Sequence, residues 1–250
     1  LHAPGTNRDR DVAWACELAG GSPEIVTVRQ LLGGDRSLDD YAMLVVPGGF
    51  SYGDDLGAGR VWATTLRHDL GDKLDAFVAS GRPAIGICNG FQVLVKTGLL
   101  PAGQTGPQRA TLTRNDSGHF ECRWVWLEPN PNSPCVFTRE LDAPIHCPVA
   151  HGEGKFVASD DAEHDAIEAQ GLVALRYTDP EGNSAGYPWN PNGSRGNIAG
   201  ICNPQGNVLG LMPHPEDHIK PEQHPGWHRG ERGNLGLGLF QAGVRYASTL

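Results

Sequence analysis

The chain has 250 residues, of which 39% are apolar and 20% charged, enough for one large domain with a real core. With 20 basic against 29 acidic side chains its net charge is −9, and no Lys/Arg cluster offsets this, which argues against nucleic-acid and anionic-membrane partners. No apolar run approaches the ~18 residues that would span a bilayer, and nothing reads as a signal peptide.

In chain order, "LHAPGTN" (1–7) looks like the tail of an N-terminal strand whose beginning is truncated. Residues 8–20 carry Val12, Ala15, Cys16 and Ala19 at i, i+3, i+4, i+7 before Gly20, which predicts a helix. "EIVTV" (24–28) predicts a strand, and "AMLVVPGG" (42–49) a buried parallel strand stopped by Pro-Gly-Gly. Leu66, Leu70, Leu74, Phe77 and Val78 give residues 61–80 an apolar helical face. "PAIGIC" (83–88) reads as another short buried strand, followed by a helix from Asn89 to about Lys96. This alternation predicts an open, mostly parallel sheet flanked by helices. Residues 101–119 read as loop. Extra strands are expected at 120–128, 143–151, 172–179, 197–203 and 207–213, and a closing helix at 233–249. No linker or repeat divides the chain, so residues 1–250 read as a single domain.

Cys88 lies in Gly86-Ile87-Cys88-Asn89-Gly90, at the junction of a strand and a helix. G-x-C-x-G there matches a nucleophile elbow with Cys in place of Ser. A sharp turn would hold the thiol above the carboxyl ends of the strands, while the helix start favours thiolate and offers N–H groups to an oxyanion. The plainer reading is a buried small hydrophobe. A thiol nucleophile needs a base and an orienter. His214 lies just past the strand 208–212 between two prolines, and Glu216, two residues on, projects to the same side. "HPEDH" (214–218) is not a zincin motif: its order is wrong and Pro215 interrupts the helix. His218, His224 and His228 read as solvated loop residues in a Pro-rich tract rather than as metal ligands. "PGGFSYGDDLGAGR" (47–60) has neither G-K-[ST] nor G-x-G-x-x-G, so it is no phosphate loop. Its better use is the N–H of Gly49, paired with that of Asn89, as an oxyanion hole, against the alternative of an ordinary loop.

With these pieces side by side, the sequence resembles the class I, triad-type glutamine amidotransferases, and among them the glutaminase subunits of phosphoribosylformylglycinamidine synthases. "APGTNRDRDV", "VVPGGFSYGDDLGAGR", "GICNGFQVLVKTGLLP", "PVAHGEGKFV" and "IAGICNPQGNVLGLMPHPE" carry the resemblance along nearly the whole chain. It implies a flavodoxin-like fold with extra antiparallel strands. It implies that Cys88 attacks the side-chain amide carbon of L-glutamine, with His214 as acid and base, Glu216 orienting His214, and Gly49 and Asn89 holding the oxyanion. Gln92 matches a glutamine that seats the substrate amide. His151, Glu153 and Gly154 in "HGEG", with Phe50, fall where the rest of the substrate is held.

The resemblance further implies a synthetase partner that uses ATP and Mg²⁺ on formylglycinamide ribonucleotide, and in some members a small third subunit. This chain would need no metal or organic cofactor of its own. Six cysteines without a C-x-x-C pair suit reduced thiols in the cytoplasm. The segment 217–232 looks like an insertion, and Arg8 replaces a cysteine common in the family. Two alternatives stay open: a glutaminase serving another synthetase, and a catalytically silent binding subunit. A stress-response cysteine protein of similar fold would lack the His-Pro-Glu run.

Overall fold

A computed structural model describes residues 1–184 and 186–250. Helix α1 (Asp9–Leu18) buries Val12, Ala15 and Cys16, the stripe its spacing predicts. The expected strand at 24–28 is reduced to a single parallel bridge, His2 to Thr27. The reason is local: Thr27 caps the next helix. Its hydroxyl accepts from Gln30 N–H, and its own N–H donates to Gln30 Oε1 at 2.9 Å. That capping box commits the chain to α2 (Val28–Gly33) where a strand would continue.

Strand β1 (Leu44–Val46), the long helix α3 (Arg60–Ala79), strand β2 (Ala84–Ile87) and helix α4 (Asn89–Thr97) follow as the hydrophobic pattern requires. The short α5 (Leu99–Ala102) runs into residues 101–119, read as loop, and those residues also contain strand β3 (Ala110–Thr113). Next come β4 (Glu121–Pro129), β5 (Ile145–His151), β6 (Lys155–Ala158), α6 (Asp161–Ala169), β7 (Val173–Thr178), β8 (Ile198–Cys202), β9 (Val208–Leu211) and α7 (Leu237–Ala247).

Seven strands form one mixed sheet in the order β1-β2-β9-β8-β7-β4-β5; β3 and β6 form a separate antiparallel pair. The parallel part is β1-β2-β9, and the strands beyond β9 are antiparallel. Both β2 and β9 are buried along their whole length, as strands covered on two faces must be. They pair in register from Ala84–Val208 to Ile87–Leu211. Their carboxyl ends therefore deliver Cys88 and the run toward His214 to the same edge, although 126 residues separate the two in sequence. Helix α4 starts so close to β1 that a Cβ at Gly90 would lie 1.8 Å from the Val46 carbonyl oxygen; this position admits glycine alone.

Candidate active site

Cys88 is the N-cap of α4, with φ 52° and ψ −107°. A non-glycine residue held there is strained by about 1–3 kcal/mol. Its fixing bonds come from both sides: Cys88 N–H donates to Leu211 O at 2.8 Å, and its carbonyl accepts from Gln92 N–H at 3.1 Å. Only 6% of the residue is exposed. Its thiol reaches the Ala150 carbonyl of β5 at 3.7 Å.

His214 arrives on the segment after β9 and is anchored by its N–H to Pro148 O at 2.8 Å. Its Nδ1 lies 2.7 Å from Glu216 Oε1. Both residues are buried, and Glu216 Oε2 has no partner. Burial by itself would lower the His214 pKa. The carboxylate of Glu216 and the adjacent Cys88 outweigh it and hold the imidazole well above its ordinary value. The dyad is thus built to carry an imidazolium, with Nδ1–H turned to the carboxylate and Nε2 left for the thiol. The turn that carries Glu216 is tied down by Asp217, which meets Arg8 at 3.1 Å. Burial pushes the Asp217 carboxyl up to about 6, with Glu216 adding to the effect.

Gly48 separates the two reacting side chains: a Cβ there would lie 2.8 Å from His214 Cε1 and 3.5 Å from Cys88 Cβ. Gly49 (φ 141°) forms an antiparallel bridge with Thr6. The flanking bonds are Asn7 N–H to Gly48 O and Phe50 N–H to Gly5 O. In that geometry the N–H of Gly49 points away from the Thr6 segment. The Asn89 N–H, at the first turn of α4, has no intrahelical acceptor. After Phe50 the loop carries Tyr52, Asp54 and Leu56 at φ 54°, 56° and 63°, and Leu56 is 82% exposed.

Side-chain amides join these parts. Asn89 Oδ1 accepts from Ser51 N–H at 3.2 Å, Asn89 Nδ2 donates to Gln92 Oε1 at 2.9 Å, and Gln92 Nε2 donates to Glu153 O at 2.7 Å. Gln92, expected to seat substrate, has both amide atoms engaged with protein and acts as a tie between α4 and the 151–154 turn. Asn115 is the hub of that turn. It donates to His119 O and His151 O, and its Oδ1 accepts from Gly154 N–H and lies 3.1 Å from His151 Nδ1. His151 therefore carries its proton on Nδ1, and its buried Nε2 has no partner. Burial, with His214 nearby, lowers its pKa to about 4. Asn115 went unnoticed in the sequence because it sits in the Gly/Thr/Asn-rich stretch that reads as loop.

The family model of the CobB/CobQ-like glutamine amidotransferase domain matches residues 1–247. The chain belongs to this amidotransferase family. Among similar proteins, the phosphoribosylformylglycinamidine synthase subunit PurQ of Treponema denticola is 46% identical, over 98% of this chain and 97% of that protein. The protein of the same name in Dehalococcoides mccartyi is 46% identical over 99% and 96%. The structure of PurLQS from Thermotoga maritima superimposes with a TM-score of 0.74 at 35% identity, covering 98% of this chain and 95% of that one.

In this amidotransferase, Cys88, His214 and Glu216 converge as the sequence predicts, at the carboxyl ends of β2 and β9. Phe50 is half exposed, and His151 and Gly154 are buried. One expectation fails. In the 217–232 segment, His218 and His224 are buried, 0% and 6% exposed, and only His228 is solvated. Trp124 on β4 packs edge-on against both rings, giving this Pro-rich tract an aromatic floor that its composition does not reveal. Among the described residues no group of three or more His, Cys, Asp or Glu is placed to hold a metal ion.

Proposed function

We propose that the chain is the glutaminase subunit of a phosphoribosylformylglycinamidine synthase. It hydrolyses L-glutamine to glutamate and ammonia and supplies the ammonia to a synthetase subunit. The synthetase converts formylglycinamide ribonucleotide to formylglycinamidine ribonucleotide with ATP in purine biosynthesis. The observation that carries the chemistry is the strained Cys88 beside the buried His214–Glu216 pair.

His214 takes the thiol proton, and Cys88 Sγ attacks the amide carbon of glutamine. The N–H groups of Gly49 and Asn89 hold the oxyanion of the tetrahedral intermediate. As the intermediate collapses, the C–N bond breaks, His214 returns the proton to the leaving nitrogen, and a thioester remains. Water, deprotonated by His214, then attacks the thioester; the C–S bond breaks and glutamate leaves. Phe50, His151, Glu153 and Gly154 form the rest of the substrate site, with Gln92 fixing Glu153 from behind. This chain uses no metal or organic cofactor; ATP and Mg²⁺ belong to the synthetase, which in some members of the family works with a small third subunit. Six free thiols support a reducing, cytoplasmic setting.

The test is glutamine-driven amidine formation by the reconstituted complex, with Cys88→Ala as control. Loss of the glutamine-driven reaction with retention of the ammonia-driven one supports the assignment. A Cys88→Ala complex that still uses glutamine overturns it.

A further inference from the structure

Residues 218–236 run as a strap against β4 and β5, and the strap returns to the catalytic turn. His146 N–H on β5 donates to Asn234 O at 3.0 Å, and Gly236 N–H donates to His218 O at 2.7 Å. Gly236 passes so close to Pro215 that a Cβ there would lie 2.3 Å from its carbonyl oxygen. His218 N–H donates to the same carbonyl at 3.2 Å. Glu216, the partner of His214, therefore sits in a turn clamped by the strap.

Three histidines fasten the strap, and hydrogen bonds fix the tautomer of each. Gly226 N–H donates to His224 Nδ1 at 3.0 Å, so His224 carries its proton on Nε2. That nitrogen lies 3.2 Å from His146 Nδ1, which must accept. His218 Nδ1 is 2.5 Å from the His146 carbonyl and must donate; its Nε2 is buried without a partner. Trp126 stacks on His146 at 4.2 Å and 12°, and Trp124 sits 5.0 Å from His146. Gly233 closes the cluster: a Cβ there would lie 2.8 Å from the His224 ring and 2.9 Å from that of His218.

We propose that His146, His218 and His224 form a positioning device for the His214–Glu216 dyad that holds only while the His146 and His224 rings are neutral. The proposal rests on the glutaminase reading above. A second proton on His224 Nδ1 would face Gly226 N–H, and one on His146 Nδ1 would face His224 Nε2–H. Each replaces an attraction with two opposed donors. The groups facing the cluster are few. From β4 come the uncharged rings of Trp124 and Trp126. From the strap come Glu231, which favours a proton on His146, and the backbone of Arg232 and Asn234, which favours one on His218. Burial and the neighbouring histidines prevail: His146 is lowered to about 4, and His218 is lowered as well. A depressed histidine stabilises the folded strap above its unfolded value of about 6.5, and that contribution is lost as pH falls toward the folded value.

The test uses the full chain in complex with the synthetase, comparing glutamine-driven with ammonia-driven turnover from acid to neutral pH. The variants are His218→Asn, which keeps a donor near Nδ1 without a titrating ring, His224→Gln, which keeps the donor to His146, and His218→Ala. At neutral pH, His218→Ala should lower glutamine-driven kcat about tenfold with KM little changed, and His218→Asn should restore it. The acid limb of the glutamine-driven reaction should move to higher pH in His218→Asn and His224→Gln, because each removes one of the neighbouring histidines that hold His146 down. Nitrogen-15 NMR of the free chain should show Nε2–H tautomers for His146 and His224 and Nδ1–H for His218. Amide protection at Gly226 and Gly236 should vanish as His146 titrates. An unmoved acid limb in both conservative variants, or protection that survives His146 protonation, overturns the proposal. A wild-type complex that ignores glutamine at neutral pH would instead overturn the glutaminase reading, and the NMR titration would still decide the latch.

Discussion

Gly48→Ala places a single methyl between the nucleophile and its base. The added Cβ would lie 2.8 Å from His214 Cε1, whereas carbon atoms rest at about 3.5 Å or more, so the ring must retreat by about 0.7 Å. It has little room, because Nδ1 is bonded to Glu216 at 2.7 Å and the backbone N–H to Pro148 O. Unlike Gly49, Gly48 is not held at positive φ, so the alanine itself adds no backbone strain and the effect isolates the ring displacement. A misplacement approaching 1 Å costs roughly 10²-fold, so glutamine-driven kcat should fall about 10- to 100-fold, or ~1.4–2.7 kcal/mol of barrier. The assay is steady-state amidine synthesis by the complex with glutamine or with ammonia as nitrogen donor. The ammonia-driven rate should be retained. A variant with wild-type glutamine-driven kcat would refute the placement of His214 against Gly48, and a parallel fall of both rates would show that the methyl disturbs docking instead.

Glu216→Gln keeps the shape but removes the charge that holds His214 as an imidazolium; glutamine-driven kcat should fall about 10²–10⁴-fold, read by single-turnover thioester formation. Asn115→Ala strips the 151–154 turn of its hub, and KM for glutamine should rise about tenfold with a smaller change in kcat, a pattern that steady-state kinetics separates from loss of the nucleophile. Asp217 has a folded pKa raised by burial to about 6. Its stabilising contribution is full below its unfolded value of about 3.9 and declines as pH rises through the folded one. Asp217→Asn should therefore gain melting temperature over the wild type at pH 8 relative to pH 4.5, and a gap independent of pH would contradict this. Gly90→Ala drives a Cβ into the Val46 carbonyl and should lose about 3 kcal/mol or more in urea unfolding.

The elements legible in the sequence are those whose pattern is decided by burial alone. β2 and β9 are covered on both faces and read as unbroken apolar runs. α3 buries the stripe that its spacing marks, and α4, which follows a strand at the glycine-flanked turn, is buried on all sides except at Lys96. The elements missed owe their form to something else. α6 buries only His164 and Ile167, and its start is set by the Asp160 side chain accepting from Glu163 N–H. β3 and β6 are four residues each and exist by pairing with one another. Segment 24–28 has the composition of a strand, yet Thr27 gains more from capping α2, and a local hydrogen-bond pair overrides β propensity.

The same division runs through the site. Cys88, His214 and Glu216 could be read because their chemistry restricts the residues beside them: glycines around a strained nucleophile, prolines around a base that must not enter a helix. Gln92 and Asn115 could not be read in the same way, since an amide side chain fits a substrate contact and a structural tie equally well until its partners are known. The histidine strap is the extreme case. Composition makes 217–232 a solvated loop, and it does not show that Trp124, nearly a hundred residues earlier in the chain, packs edge-on against His218 and His224, both of which are buried. Whether such a group reports acid or merely packs depends on which nitrogen holds the proton. Here that follows from a single backbone N–H, that of Gly226, whose direction sets the donor and acceptor roles along the link from His224 to His146.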